Sequence, residues 1–580
     1  MKYPPVILLS TVVTILFLIP VLAGLVGALL PAFGFMPVLG FETLSLSFWE
    51  ELWVTPKLLH MVLLTLTTAV ISTLISLLLA LGVVTTTWGG KLWQKTQRWL
   101  SPIMAVPHVA LAFGVSFVLM PSGLIARLLA VPLEWKLPPD WQSVQDPYGL
   151  SYMLLLIVKE TPFLVFMLIA AIGQLPVCET IKIGQSLGYQ RWVTWVKLIW
   201  PRLIPMIRLP VYTVLAFSIS VVDIPLILGP TNPPLFAVQI FQWLQDADLS
   251  LRLKAAAGSL LLLGLVATTV LIFFLAEKTA FRYLRSWMTN GYRGATYFGM
   301  MRFGMMRFGM MRFGIEGGRF SESISIILWR SLLCLFSLSA VVLLIWSFVW
   351  RWRFPSLWPD WSIHAWERSW DQLIEPLSNS LMIGVFASFL SVVLAILLIE
   401  CASKESRYTK IVMYLPLLLP QMTFVFGIQV LLLQFHLEGH WLTVTAVHLI
   451  FVLPYCYLSL MGTWANYDVR HTIQGQMLSA SRVRTWWAVK LRILWRPVLG
   501  SFALGFSVSI AQYLPTLFAS AGRVPTITTE AVSLVSGGNR RLIGVYALVQ
   551  MLLPLLCYAG AITLSIWTFK RGRIVRRLYS

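Results

Sequence analysis

The sequence predicts an all-α polytopic membrane protein of about twelve transmembrane helices, arranged as two duplicated six-helix units. Three observations carry that class. Of 580 residues, 58% are hydrophobic and only 12% charged, against about 25% charged in soluble domains. Several apolar runs reach the roughly 20 residues that cross a bilayer as a helix. Short motifs also recur in the same order in the two halves. A β-barrel would show short alternating segments instead.

The runs place the first six spans at about 6–29, 58–86, 101–121, 150–174, 209–230 and 255–276. Six more follow at about 323–349, 378–400, 411–434, 440–463, 498–520 and 543–568. The first run is longer than the 7–15-residue core of a signal peptide, so it reads as an uncleaved helix. The units are therefore 1–276 and 323–580, joined by a basic linker at 277–322. Residues 299–314 of the linker repeat MMRFG three times. So exact a repeat shows no residue-by-residue tuning, and it reads as a tandem expansion in a flexible connector.

The net charge of +21 is not a nucleic-acid footprint, because the basic residues sit in short segments between spans. That is the positive-inside pattern. Lys2, the 87–99 loop, the 178–205 stretch, the linker, the 401–410 loop, the 474–497 stretch and the terminal KRGRIVRR all fall on one side. That side is expected to be cytoplasmic, with both termini. Glu50, Glu51, Asp140, Asp146, Asp246 and Asp248 fall on the other, where Arg523, Arg540 and Arg541 are exceptions. The five cysteines have neither metal-ligand spacing nor a disulfide framework and read as small buried hydrophobes. No metal or cofactor is expected.

The duplication is read from matched motifs. Thr65 opens TLTTAVISTLISLLLAL and Ser380 opens SLMIGVFASFLSVVLAI. Pro107-His108 with Phe113-Gly114 matches Pro420-Gln421 with Phe426-Gly427, and Pro162-Phe163 matches Pro454-Tyr455. LAFSISVVD, ending at Asp223, matches LGFSVSIAQ, ending at Gln512. Both halves start inside with an even number of spans, so the pseudo-twofold axis lies along the membrane normal.

Between the fourth and fifth spans of each half lies a structured basic stretch. In Cys178–Pro205, Trp192, Trp195, Val196 and Ile199 follow helical spacing, with Gly188 and Pro201 as punctuation. The second copy runs from Gln474 to Pro497. These stretches resemble the EAA loops of binding-protein-dependent ABC importer permeases, roughly E-A-A-x-x-x-G with a proline about thirteen residues on. Lys182–Gly188 occupies the pattern, with Gly184 inside it and Pro201 at the expected distance. In the second copy Gln474–Ala480 fits, with Gly475 inside it, Ile493 at the first proline position and Pro497 at the second. Lys182, Gln474 and Ala480 depart from the pattern. The chain as a whole is similar to fused two-half permeases, ferric-iron and thiamine permeases among them.

The resemblance implies the type I importer fold and a bacterial inner-membrane location. It also implies a cytoplasmic ATP-binding-cassette ATPase homodimer as partner, and a periplasmic substrate-binding protein. A short helix in each loop would dock on the ATPase, with Lys182, Gly184, Gly188, Trp192, Trp195, Pro201, Gln474, Gly475, Ala480, Trp487 and Pro497 in the coupling segments. Gly188 would permit the turn before a Trp192–Lys197 helix, with Trp192 and Trp195 as apolar anchors. No stretch matches G-x-x-x-x-G-K-[ST], so ATP chemistry belongs to another subunit.

Polar residues in spans cost about 2.5–3.5 kcal/mol each when ionised, and they face the interior or a partner. His108, Glu160, Asp223, Gln421 and Gln512 are candidates for lining the path. Each is weighed against a hydrogen bond, or a Lys159–Glu160 pair, that merely holds helices together. The carboxylates suit a cationic solute such as thiamine. A second reading is a proton-coupled transporter of six-plus-six helices with Asp223 and Glu160 as the relay. The paired basic insertions, which such a transporter does not need, weigh against it. No nucleophile, base or metal constellation points to an enzyme.

Overall fold

The computed structural model describes residues 4–291, 293, 311–401, 407–479 and 481–578. They form an all-α protein. In the first half the principal helices are α1 (Pro4–Ala32), α2 (Leu58–Thr87), α3 (Lys91–Ala105), α4 (His108–Leu119), α5 (Leu150–Ile172), α6 (Val177–Ser186), α7 (Trp200–Ser220), α8 (Asp223–Leu228), α9 (Phe236–Gln245) and α10 (Leu251–Thr289). In the second they are α11 (Met311–Ser347), α12 (His364–Cys401), α13 (Arg407–Leu418), α14 (Gln421–Gln434), α15 (Trp441–Ala465), α16 (Val469–Ser479), α17 (Leu491–Ile510), α18 (Leu514–Ser520), α19 (Ile527–Gly537) and α20 (Arg540–Leu578). A small antiparallel hairpin pairs Val349 with Trp361 and Arg351 with Asp360. Among the described residues eleven helices are long and apolar enough to cross a membrane, or twelve if the bent pair α13–α14 is one span. Most of the MMRFG repeat, and Ala480, lie outside the described residues.

Four expected spans are not continuous. The third and ninth each break at a proline, between α3 and α4 and between α13 and α14, where the axis turns by 93°. Val106 before Pro107 is extended, with φ −67° and ψ 127°. A proline ring forbids the helical conformation of its predecessor and supplies no amide to continue the ladder. The fifth and eleventh spans stop at Ser220 and Ile510 and resume as the short helices α8 and α18. Two of the cysteines, Cys178 and Cys334, are exposed rather than buried.

Sequence reading missed α9 and α19, which are too short to span and sit in what look like connectors. Each is anchored in the same way. Phe236 N–H donates to Thr65 Oγ1 at 2.9 Å, and Ile527 N–H donates to Ser380 Oγ at 2.9 Å. A hydroxyl on the second span thus satisfies an orphan amide at each helix start. The two hydroxyls are the residues that open the matched TLTT and SLMI motifs.

The halves embrace each other. The first helix of each packs on the broken span of the other, α1 on α14 and α11 on α4. A Cβ on Gly427 would collide with the backbone of Gly24, and one on Gly114 would lie 2.7 Å from Ser339 Cβ. Small residues let membrane helices approach closely where no hydrophobic force drives them together. Polar cross-links add to this: Thr423 Oγ1 donates to Ser259 O at 2.9 Å, and Ser507 Oγ to Ala105 O at 2.7 Å.

Candidate functional site

The two basic stretches fold alike. Each begins with a short helix, α6 or α16, turns, and enters the fifth span through a π-helical turn, Trp195–Ile199 or Trp486–Lys490. Gly184 is buried against Thr194, where a Cβ would come within 2.6 Å of the hydroxyl. Gly475 is buried against Thr485, with 2.7 Å to its methyl. Glycine is needed at both positions because the helix lies directly on the following strut. Thr194 Oγ1 donates to Gln190 O at 3.1 Å and Thr485 Oγ1 to Ser481 O at 2.9 Å.

These contacts correct three expectations. The second copy is in register one residue earlier than the motif suggested: Gly475, not Gln476, is the partner of Gly184, so Ile473 stands opposite Lys182. The separate short helix precedes Gly188 instead of following it. Gly188, at φ +83°, ends α6, with its N–H on Gln185 O and Tyr189 N–H on Gly184 O. Trp195 is fully buried in a core with Trp88 and Trp93, so it is no anchor for a partner. Trp192 is half-buried and bonds Gln190. The exposed apolar groups are others: Ile183 on α6 and Leu187 at its C-terminal cap, at 59% and 56%, and Met477 and Leu478 on α16, at 81% and 90%. Trp487 is also exposed. Pro201 opens α7, and Pro497 lies inside α17. The π turn forms in both copies although Arg492 stands opposite Pro201, so proline does not cause it.

The polar residues of the spans gather at the helix breaks. His108 opens α4 and Gln421 opens α14, each directly after its proline. His108 Nε2 lies 3.2 Å from Glu160 Oε1, and its ring packs 5.1 Å from that of Phe217. Glu160 therefore pairs with His108, not with its neighbour Lys159. Lys159 Nζ instead donates to the carbonyls of Ile103, Met104 and Val106, capping the end of α3. A cation there opposes the negative end of the helix dipole. Residues Val109–Val118 of α4 are all buried, yet the His108 side chain is 25% exposed. Asp223 opens α8 and is half-buried. Gln512 is buried in the break between α17 and α18, its Nε2 donating to His448 O at 3.3 Å. His108 and Glu160 are thus brought together, while no direct contact joins Asp223, Gln421 and Gln512 to them.

Over 524 residues the chain is 32% identical to the inner membrane ABC transporter permease protein YnjC of Escherichia coli (strain K12), across 90% of this chain and 91% of that protein. The chain belongs to the inner-membrane ABC transporter permeases. No family model matches it. The permease is a multi-pass membrane protein and a transport subunit, not an enzyme, and its class works with an ATPase partner. That membership sets aside the proton-coupled reading.

Five residues that hold the site together were not found from sequence. Glu400, at the end of α12, accepts from Trp464 Nε1 at 3.0 Å and Trp486 Nε1 at 2.8 Å, and lies 2.7 Å from Lys490 Nζ. Ser507 crosses from the second half to the capped end of α3. A glutamate in the last turn of an apolar helix, with Trp and Lys in a later basic stretch, was the signal available for Glu400, Trp486 and Lys490.

Proposed function

We propose that the permease forms the path of an importer for a small cationic solute, delivered by a periplasmic binding protein and driven by a separate ATPase homodimer. In this reading 1–276 and 323–580 are duplicated six-helix units with both termini cytoplasmic. The helices α6 and α16 are the two docking points for the ATPase. The carrying observation is the pair of short helices, each pressed through a glycine onto a threonine and each presenting uncovered apolar side chains. Lys182, Gly188, Gln474 and the undescribed Ala480 belong to these docking segments. His108, Glu160 and Asp223 form the acidic side of the path, with Gln421 and Gln512 opposite. The solute is of the thiamine type, by charge.

The test uses Leu187→Asp and Leu478→Asp in the full chain, co-expressed with its ATPase. Co-purification of the ATPase should fall at least tenfold in the double variant, and uptake should fall with it. Uptake in unaltered permease should stop on ATP depletion and survive an ionophore. Normal ATPase recovery with both substitutions would remove α6 and α16 as docking points.

A further inference from the structure

Away from both sites, α17 and α20 leave an open groove of about 680 Å³ on the membrane side of the second half. Leu499 and Phe502 form one wall, and the face of α20 from Cys557 to Trp567 forms the other. Its floor is Gly560, where an added Cβ would meet no atom within 4 Å. The eleven residues of helix from Cys557 to Trp567 rise about 15 Å. That matches one leaflet of the roughly 30 Å hydrocarbon core.

The groove is not apolar along its whole length. Arg492, Arg496 and Leu499 recur at i, i+4 and i+7, so both arginines share the stripe of α17 that forms the wall. Both are exposed, one and two turns nearer the basic end. Trp567, 55% exposed, is the last groove residue on α20, and indole rings settle at the headgroup boundary. After two intervening residues the sequence runs KRGRIVRR. An apolar groove of leaflet length, with two arginines one and two turns beyond it on the same helix stripe, has the length and charge order of a phospholipid with an anionic head. Guanidinium forks pair with phosphate in two parallel hydrogen bonds, and basic pockets between spans select anionic lipid.

We propose that this groove is a specific site for one anionic phospholipid, its acyl chain along Gly560 and its phosphate on Arg492 and Arg496. The experiment is native mass spectrometry of the purified full-length permease, equilibrated with equimolar dioleoyl phosphatidylglycerol and dioleoyl phosphatidylcholine. The unaltered protein should retain phosphatidylglycerol over phosphatidylcholine at least fivefold. Arg492→Gln with Arg496→Gln should reduce that ratio to near one, while the lysine pair Arg492→Lys with Arg496→Lys keeps most of it. Gly560→Leu, whose Cβ meets no atom within 4 Å, should abolish the retained lipid. The proposal is overturned if the glutamine pair keeps the preference, if the lysine pair loses it as fully as the glutamine pair, or if Gly560→Leu binds phosphatidylglycerol as before. It is equally overturned if Gly560→Leu converts a dimer to a monomer, since the groove would then seat a second copy of the chain.

Discussion

The two basic segments share a shape and differ in what holds them. The first is tied to the end of α10: Lys197 Nζ donates to Asn290 O and Oδ1 at 3.0 and 2.7 Å, lies 4.8 Å from the Trp287 ring, and Gln190 N–H donates to Arg293 O at 3.0 Å. The second is tied to the end of α12 by the Glu400 carboxylate, which gathers Trp464, Trp486 and Lys490. Glu400 lies twenty residues after Ser380, and Thr85 lies twenty after Thr65. Thr85 accepts a single bond, from Trp200 Nε1 at 3.1 Å. The same helix, glycine contact and π turn are therefore reached with an amide and aromatic rings in one half and an ion pair in the other. The retained geometry, more than the residue chemistry, is the common requirement.

The comparison can be broken most directly at Glu400. Glu400→Ala leaves two indole N–H groups and an ammonium without their acceptor, at about 3 kcal/mol by the cost of orphaned, charge-assisted hydrogen bonds. Thermal unfolding of the purified permease should show that loss, and proteolysis should report opening of α16 and not α6. Opening of both would mean that the segments are not held separately. Gly184→Val and Gly475→Val come next. Each forces a branched side chain into a threonine, costing about 1–3 kcal/mol as overpacking does. Near-equal losses, each relieved in part by Thr194→Ala or Thr485→Ala in the matching variant, would confirm the corrected register. A loss at Gly184 alone would break it.

Lys197→Met is the counterpart of Glu400→Ala and should cost less, about 1 kcal/mol, because it removes bonds to a neutral amide and a carbonyl. Its effect should shrink when Asn290 is already alanine, by the share carried by Oδ1, while the bond to the Asn290 carbonyl remains, in a double-mutant cycle read by thermal unfolding. Smallest in stability are Leu187→Ala and Leu478→Ala. Exposed positions change folding by about 0.5 kcal/mol or less, so any fall in ATPase recovery from these variants reports binding.

The sequence carried the class and the span count because apolar length is a strong signal that needs no partner to be read. It carried the breaks only as prolines: Pro107 and Pro420 were matched between halves, yet their spans were drawn straight through. The short helices α9 and α19 were illegible, since ten or eleven residues resemble a connector until Thr65 and Ser380 are seen to cap them. In the basic segments the spacing of Trp192, Trp195 and Ile199 was helical, and the inference that this face meets a partner failed. A periodic face in a membrane protein is as readily turned to its own core, and Trp195 meets Trp88 there. The register slip has a similar origin. Gln474 and Lys182 are both long polar residues, whereas the position that tolerates no side chain is set by Thr194 and Thr485, ten residues downstream.

The embrace between the halves also has a consequence for biogenesis. Gly24 and Gly427 touch, but roughly 400 residues separate them on the ribosome. At about 5–20 residues per second of synthesis, α1 waits some 20–80 seconds in the bilayer before α14 emerges. The mean hydropathy of 2.7 along α1 suits the wait, and its glycines keep the surface narrow enough for the late arrival to close on it.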